Sequence, residues 1–418
     1  MTARANVLAR DTPYCRTVAP AAARAVSART VDAFTVALDS DLSSLEPVWR
    51  AFQETADCTV FQTFEWLSAW QHHIGARAGV VPHIITVRDA NGTLLSILPL
   101  ASAQRGPLRE LVWLGSELCD YNAPLVAAGF AQQLDAATFA ALWRRIVQAV
   151  QMRARCDIVR LEKMPATIGA QPNPMLALPT VLNPSGCYAT KLGSSWDKFY
   201  EAKRSAATRA RDRSKRKRLA AHGQIQFATA AEASQALSTL QVLIEQKSAA
   251  FARRGIGNIF SRAGYTEFYR DLATDPQTRS LVHISALRVG NTIAATNFAL
   301  TFKERYYYVL SSYTDGEMAR LGPGAAHLHE LFRYAIERGF GVFDFTIGDE
   351  PYKRDWCDRA EPLYDMVAVI SWRGLAAATP LLAFSRLKRA IKQNPRLWSL
   401  FSKARALVVS RKRPRGRV

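Results

Sequence analysis

Residues 305–357 read RYYYVLSSYTDGEMARLGPGAAHLHELFRYAIERGFGVFDFTIGDEPYKRDWC. Aromatic and β-branched residues at 305–313 predict a strand. Arg320-Leu321-Gly322-Pro323-Gly324-Ala325 then leads straight into a helix at 322–338, with Leu328, Leu331, Phe332, Ala335 and Ile336 on one face and Gly339 as its stop. A second strand at 341–347 ends in the acidic turn Gly348-Asp349-Glu350. Strand, crossover helix and strand predict a parallel pair. Free amides at the helix start predict an anion site, set against the plainer reading of a Gly-Pro turn that merely starts a helix. No GxGxxG is present and no Lys-Ser/Thr follows the glycines, so neither a dinucleotide fingerprint nor a P-loop is indicated.

Working outward, 225–228, 281–289, 292–301 and 363–371 read as strands, and 231–253 and 265–274 as helices. The first half has the same outline. Strands are expected at 33–38, 83–88, 94–100, 110–114, 121–126 and 157–162, and helices at 41–55, 64–74 and 134–152. "VRDANGTLLSILPL" in the first half echoes "LRVGNTIAATNFAL" in the second. The fold class is therefore read as α/β, built from two tandem units. The boundaries are a disordered basic arm at 1–31 (an Arg-rich, acid-poor transit segment reads the same way), a first unit at 32–186 closing in a Pro-rich linker from 164, a second at 187–372 and a basic tail at 373–418.

The chain has 418 residues, 49% of them hydrophobic and 22% charged, which excludes wholesale disorder. Its six cysteines form no CxxC pair and its histidines have no matching ligand set, so no metal site is expected. No apolar run spans a bilayer, and the expected location is cytoplasmic. The net charge of +20 is concentrated. Residues 1–31 carry +4, residues 203–218 carry +8 and residues 366–418 carry +13, which leaves the body at −5. Residues 195–222 read as one long basic helix, either a solvated bridge or a phosphate clamp. The absence of interleaved aromatics in its basic run argues against sequence-specific nucleic acid. Bulky apolar residues among the tail's Lys and Arg describe an interfacial helix, docking either on an anionic membrane surface or on protein.

The quoted stretch resembles the C-terminal half of the CelD-like acetyltransferases, a GNAT-superfamily family of cellulose and exopolysaccharide gene clusters. Gly348-Asp349-Glu350-Pro351-Tyr352-Lys353-x-x-Trp356 is the most specific element. Phe61-Gln62-Thr63-x-Glu65-Trp66-Leu67, Cys119-Asp120-Tyr121-Asn122-Ala123-Pro124-Leu125 and the basic segment Arg204–Gly223 are similar to that family too. The arrangement also resembles Fem-type aminoacyltransferases, which use aminoacyl-tRNA. The resemblance implies two GNAT-like units and an acyl-CoA donor, acetyl-CoA or another, acting on an amine-bearing small molecule or glycan precursor. It implies a pantetheine arm between the strands at 305–313 and 341–347, and a pyrophosphate on Gly322, Gly324 and Ala325 near Arg320.

Amide formation needs a free amine, a polarised carbonyl and a stabilised leaving thiolate. Asp344 faces away from its neighbours Phe343 and Phe345, and is either a desolvated base or a buried, paired carboxylate. Asp349 and Glu350 either orient the amine or cap the following turn. Tyr352 is a candidate proton donor to sulfur, and Lys353 a candidate partner for oxyanion or phosphate charge. Asp120 and Tyr121 either line the acceptor pocket or make a polar turn. Three functions remain open: an acyl-CoA-dependent N-acyltransferase, a Fem-type transferase, or a non-catalytic scaffold at a membrane.

Overall fold

The computed structural model describes residues 31–357, 360–376 and 387. All but the last residue of the expected arm at 1–31 and nearly all of the tail at 373–418 lie outside the described residues. The strands are β1 (Thr35–Asp39), β2 (Val81–Arg88), β3 (Leu94–Arg105), β4 (Leu108–Trp113), β5 (Leu125–Val126), β6 (Ile158–Pro165), β7 (Thr167–Ile168), β8 (Gln171–Pro172), β9 (Val181–Lys191), β10 (Ile225–Thr229), β11 (Val282–Val289), β12 (Thr292–Phe302), β13 (Arg305–Tyr313), β14 (Val342–Ile347) and β15 (Ala360–Val369). The α-helices are α1 (Leu42–Thr55), α2 (Phe64–Trp70), α3 (Phe130–Gln133), α4 (Ala136–Ala154), α5 (Trp196–Lys203), α6 (Ala206–Ala220), α7 (Ala233–Arg254), α8 (Tyr265–Thr274), α9 (Pro323–Glu337) and α10 (Pro351–Arg354).

Thirteen of these strands form one mixed sheet in the order β1-β2-β3-β4-β6-β15-β9-β14-β13-β12-β11-β10, with β5 paired to β3. The α/β class and the two tandem units are as read from the sequence. Each unit contains a parallel pair joined by a crossover helix: β4–α4–β6, meeting at Glu110↔Ile158 and Leu111↔Val159, and β13–α9–β14. The sheet has no gap between the units. The last strand, β15, pairs antiparallel with β6 of the first unit on one edge and with β9 on the other.

An apolar core spans both units on one face of the sheet. There Trp66 meets Phe268 edge to face at 4.9 Å, and Phe61 meets Tyr307 at 5.8 Å. Such pairs contribute about 1 kcal/mol each beyond the area they bury. The other face is covered separately, by α4 in the first unit and α9 in the second.

Three local expectations are corrected. The long helix at 195–222 is two helices, α5 and α6, because Arg204 is extended and the Ser205 side chain accepts from Thr208 N to start a new helix. The Tyr200 hydroxyl, donating to Asp212 Oδ2 at 2.7 Å, ties the two together. The strand at 121–126 shortens to β5, since Tyr121 O accepts from the Gln62 side chain and Asn122 N donates to Lys163 O, leaving Leu125 and Val126 to pair with β3. The Pro-rich linker holds β7, β8 and the start of β9: Pro165 and Pro172 end strands, Pro174 opens a 3-10 turn, and Pro184 sits within β9 where its register with β15 is irregular.

Candidate active site

β13 and β14 pair at only three positions, Arg305↔Val342, Tyr306↔Phe343 and Tyr307↔Asp344. Beyond them β13 follows β12 and β14 follows β9, so the two parallel strands part. Both bulge where they part. Phe298 opposes Leu310 while Ala299 opposes Tyr308, which leaves Val309 as the extra residue of β13. In β14 the register with β9 slips between Asp344 and Ile347, and Thr346 sits there at φ 59°. A left-handed conformation is an outlier for a β-branched residue and persists only where neighbours impose it. Tyr308, Phe345 and Tyr352 lie in ring contact across this split, at 5.8 and 6.0 Å.

The start of α9 stands beside it. Gly322, at φ 73°, caps the helix without any side-chain hydrogen bond, and Pro323 follows. Glycine adopts this conformation without a Cβ clash. Gly322 N donates to Ala319 O and Ala325 N to Gly322 O, so the start presents the helix dipole rather than a row of free amides. The sequence could not show that α6 lies against this start. Gly322 and Ala325 share a hollow of about 90 Å³ with Arg213, Lys215, Arg216 and Arg333 and with the rings of Trp196, Tyr200 and His329. Arg216 is paired with Glu330 at 2.7 Å, and Arg333 bonds Glu330 and lies over Trp196. Arg213 and Lys215 are exposed and have no carboxylate partner among the described residues. Arg320 is exposed in the preceding 3-10 turn and does not line the hollow, and Gly324 lies instead against the Tyr313 ring.

At the other end of the split, Lys353 is 4% exposed and its Nζ donates to Ile347 O at 2.8 Å, with Glu350 Oε2 at 3.0 Å. Partial burial pushes the Glu350 carboxyl up, but the adjacent Lys353 outweighs it and holds the group below its usual value. Burial raises the Tyr352 phenol, which therefore keeps its proton at neutral pH. Asp349 lies against Tyr188 and near Gly186 N.

A third region lies in the seam between the units. A cavity of about 450 Å³ is lined by Tyr121, Asp344, Arg305, Tyr307, Lys191 and Glu361 among others. Asp344 is 1% exposed and both of its oxygens are engaged. The Tyr121 hydroxyl and Thr346 N donate to Oδ1, and Arg305 donates to Oδ2, each at 2.7 Å. Of the two readings made from the sequence, this is the arrangement of a paired carboxylate, and it holds the strained Thr346 in place. Asp120 bonds the Thr346 side chain; burial pushes its carboxyl up, and Lys163 and Lys353 counter that. Asp120 and Tyr121 thus grip the β14 bulge from the first unit.

The predicted residues therefore fall in three neighbouring places. Gly322 and Ala325 share the α9 hollow, Asp349 to Lys353 flank the split, and Tyr121 and Asp344 line the seam. Trp356 packs in the core beneath α9, at 3% exposure. The sequence reading missed Arg305 and Lys247. Arg305 opens a run of tyrosines, and Lys247 lies within a helix that reads as amphipathic surface, so neither position carries a local signal. Among the described residues no group of three or more His, Cys, Asp or Glu could hold a metal, and no helix is long and apolar enough to cross a membrane.

Comparison with known proteins follows this geometry. Residues 206–354 match the acetyltransferase (GNAT) domain family. No curated protein matches the chain in sequence. Among solved structures, FemX superposes with a TM-score of 0.51 at 11% identity, over 76% of this chain and 95% of that one. L-PGS from Bacillus licheniformis gives 0.48 at 15% identity, over 83% and 97%. A tandem GNAT protein from the clavulanic acid biosynthesis pathway gives 0.43 at 11% identity, over 80% and 98%. At such identities the FemX likeness speaks to the fold alone. The chain is a two-unit α/β protein of GNAT-like fold, and its residues 206–354 match the GNAT acetyltransferase domain.

Proposed function

We propose that the protein is an acyl-CoA-dependent N-acyltransferase. In this reading the donor's diphosphate lies at Gly322 and Ala325, facing the α6 cations, and its pantetheine arm runs between β13 and β14. The observation that carries the reading is the opening of β13 and β14 after three residue pairs, beside an uncapped helix start. The body of the amine acceptor lies in the seam cavity against Tyr121, with Asp120 behind that wall on the Thr346 side chain, and its amine reaches the end of β14. Asp349 and Glu350 orient it, Lys353 balances charge on the thioester oxygen, and Tyr352 protonates the departing sulfur. Asp344 positions these groups by holding the β14 bulge. The resemblance to CelD-like proteins supports an acceptor from exopolysaccharide or cell-envelope synthesis.

Thiol release from acetyl-CoA with a panel of amines and amino sugars, together with calorimetric CoA binding, tests this reading. Release that survives unchanged in both Asp349→Asn and Lys353→Ala removes the site assignment. A second reading, transfer from aminoacyl-tRNA, is favoured by the free Arg213 and Lys215 beside the same helix start. A gel shift by charged tRNA with no heat on adding CoA selects it.

A further inference from the structure

Lys247 stands outside every role assigned above. It projects from α7, which packs on β12 and β13. Its Nζ donates to Ser311 O at 3.1 Å, and the Phe251 ring lies 5.8 Å away. Ser311 belongs to the part of β13 that has already left β14. Glu350 and Lys353 reach the same region from the end of β14, near enough for both to act electrostatically on Lys247. The mouth of the split is thus flanked by an amine on the β13 side and an ion pair on the β14 side.

We propose that Lys247 accepts the proton that the acceptor amine must lose before it attacks the thioester, a role that rests on the acyl-CoA reading. Burial is the main influence on this amine and brings its pKa down to about 8; Arg254 on its own helix and Lys353 opposite add to that, and Glu350 opposes it. An ordinary lysine, at about 10.4, is well under 1% neutral at pH 8, so the seat multiplies the available base roughly a hundredfold. A neutral amine that donates one N–H to Ser311 O still carries a lone pair that can take a proton. The acceptor arrives as an ammonium, and Lys247 removes one proton and frees the nitrogen lone pair. The N–C bond then forms as the C–S bond breaks. The surplus proton on nitrogen ends on the CoA sulfur by way of Tyr352, and Lys247 returns its own proton to water at the mouth of the split.

The test is the pH profile of acetyl-CoA turnover in the full chain, unmodified and as Lys247→Met and Lys247→Arg, with CoA affinity measured on each. The unmodified protein loses rate as pH falls below about 8. Both variants lose roughly 10²-fold in kcat, keep CoA affinity within about twofold and lack that limb. Trace acetylation of the unmodified protein with acetic anhydride, read peptide by peptide across pH, reports Lys247 independently of turnover. A midpoint near 8 supports the role, and one above 10 overturns it. A limb that persists in Lys247→Met overturns the role of Lys247 alone. No CoA binding and no thiol release from the unmodified protein overturns the acyl-CoA reading and this role with it.

Discussion

The two units run the same strand–helix–strand crossover and finish it differently. In the second unit the crossover helix α9 starts at a glycine without a side-chain cap, sharing a hollow with Arg213 and Lys215, which have no carboxylate partner among the described residues. In the first, α4 starts at Asp135, whose carboxylate accepts from Thr138 N at 2.7 Å. That carboxylate already occupies the place an anion would take, and the hydrogen bonds it accepts hold it below its usual pKa. The gaps between the parallel strands differ in the same sense. Both second strands carry a bulge with a positive-φ residue, Lys163 at 60° in β6 and Thr346 at 59° in β14. Lys163 then turns back and donates to Ser116 O and Cys119 O at 2.8 and 2.7 Å, stitching its own loop closed. Thr346 has too short a side chain to do so. The first unit's lysine closes its own loop, whereas the Thr346 side chain of the second is held by Asp120 from across the seam.

The strongest challenge to this contrast is Lys353→Met. It keeps the packed stem and removes the charge, and it should lower turnover by roughly 10²-fold with little change in CoA affinity, read by steady-state kinetics and calorimetry. Turnover within threefold of the unmodified protein would leave the second unit without a charged centre. Next, Gly322→Asp gives α9 the cap that α4 has. Aspartate tolerates the left-handed backbone, and its carboxylate competes with the donor's phosphates. CoA affinity should fall at least about tenfold, with Gly322→Asn as the uncharged control. Equal affinity in both variants would mean that the helix start is not the phosphate seat.

Acid should separate the units more mildly. Burial keeps His283, His327 and His329 of the second unit neutral, with pKa values lowered to about 3, about 3 and about 4, and burial also lowers His83 in the first. The unfolded chain binds protons on these rings below about 6.5 while the folded one does not, so stability is present above that pH and is lost as pH falls toward about 4. Hydrogen exchange should show β11, β13 and α9 losing protection before β2–β4. Simultaneous loss would mean that the shared sheet unfolds as one cooperative body. The smallest effect is expected from Asp135→Ala, a slight fall in melting temperature with unchanged CoA affinity. A loss of affinity there would place a ligand in the first unit after all.

The crossover at 305–347, the hairpin echo and the Gly322 helix start were legible in the sequence, because each depends on neighbours in the chain: periodicity, turn residues and a missing Cβ. The break at Arg204 and Ser205 was hidden by an unbroken run of charge, although Ser205 has the chemistry of a cap. Asp344 could be narrowed to two readings but not decided between them, since alternation gives the face of a strand and says nothing of what waits there.

Only the tertiary structure decided what meets across the seam. Tyr121 lies 223 residues from Asp344, and Lys215 lies far along the chain from Ala325, yet one pair makes a hydrogen bond and the other lines a single hollow. Local sequence governs dihedral angles and which face of an element is apolar. Partnership between distant polar groups is set by the packing of a sheet that runs unbroken through both units, and in that packing the last strand, β15, joins the first unit to the second.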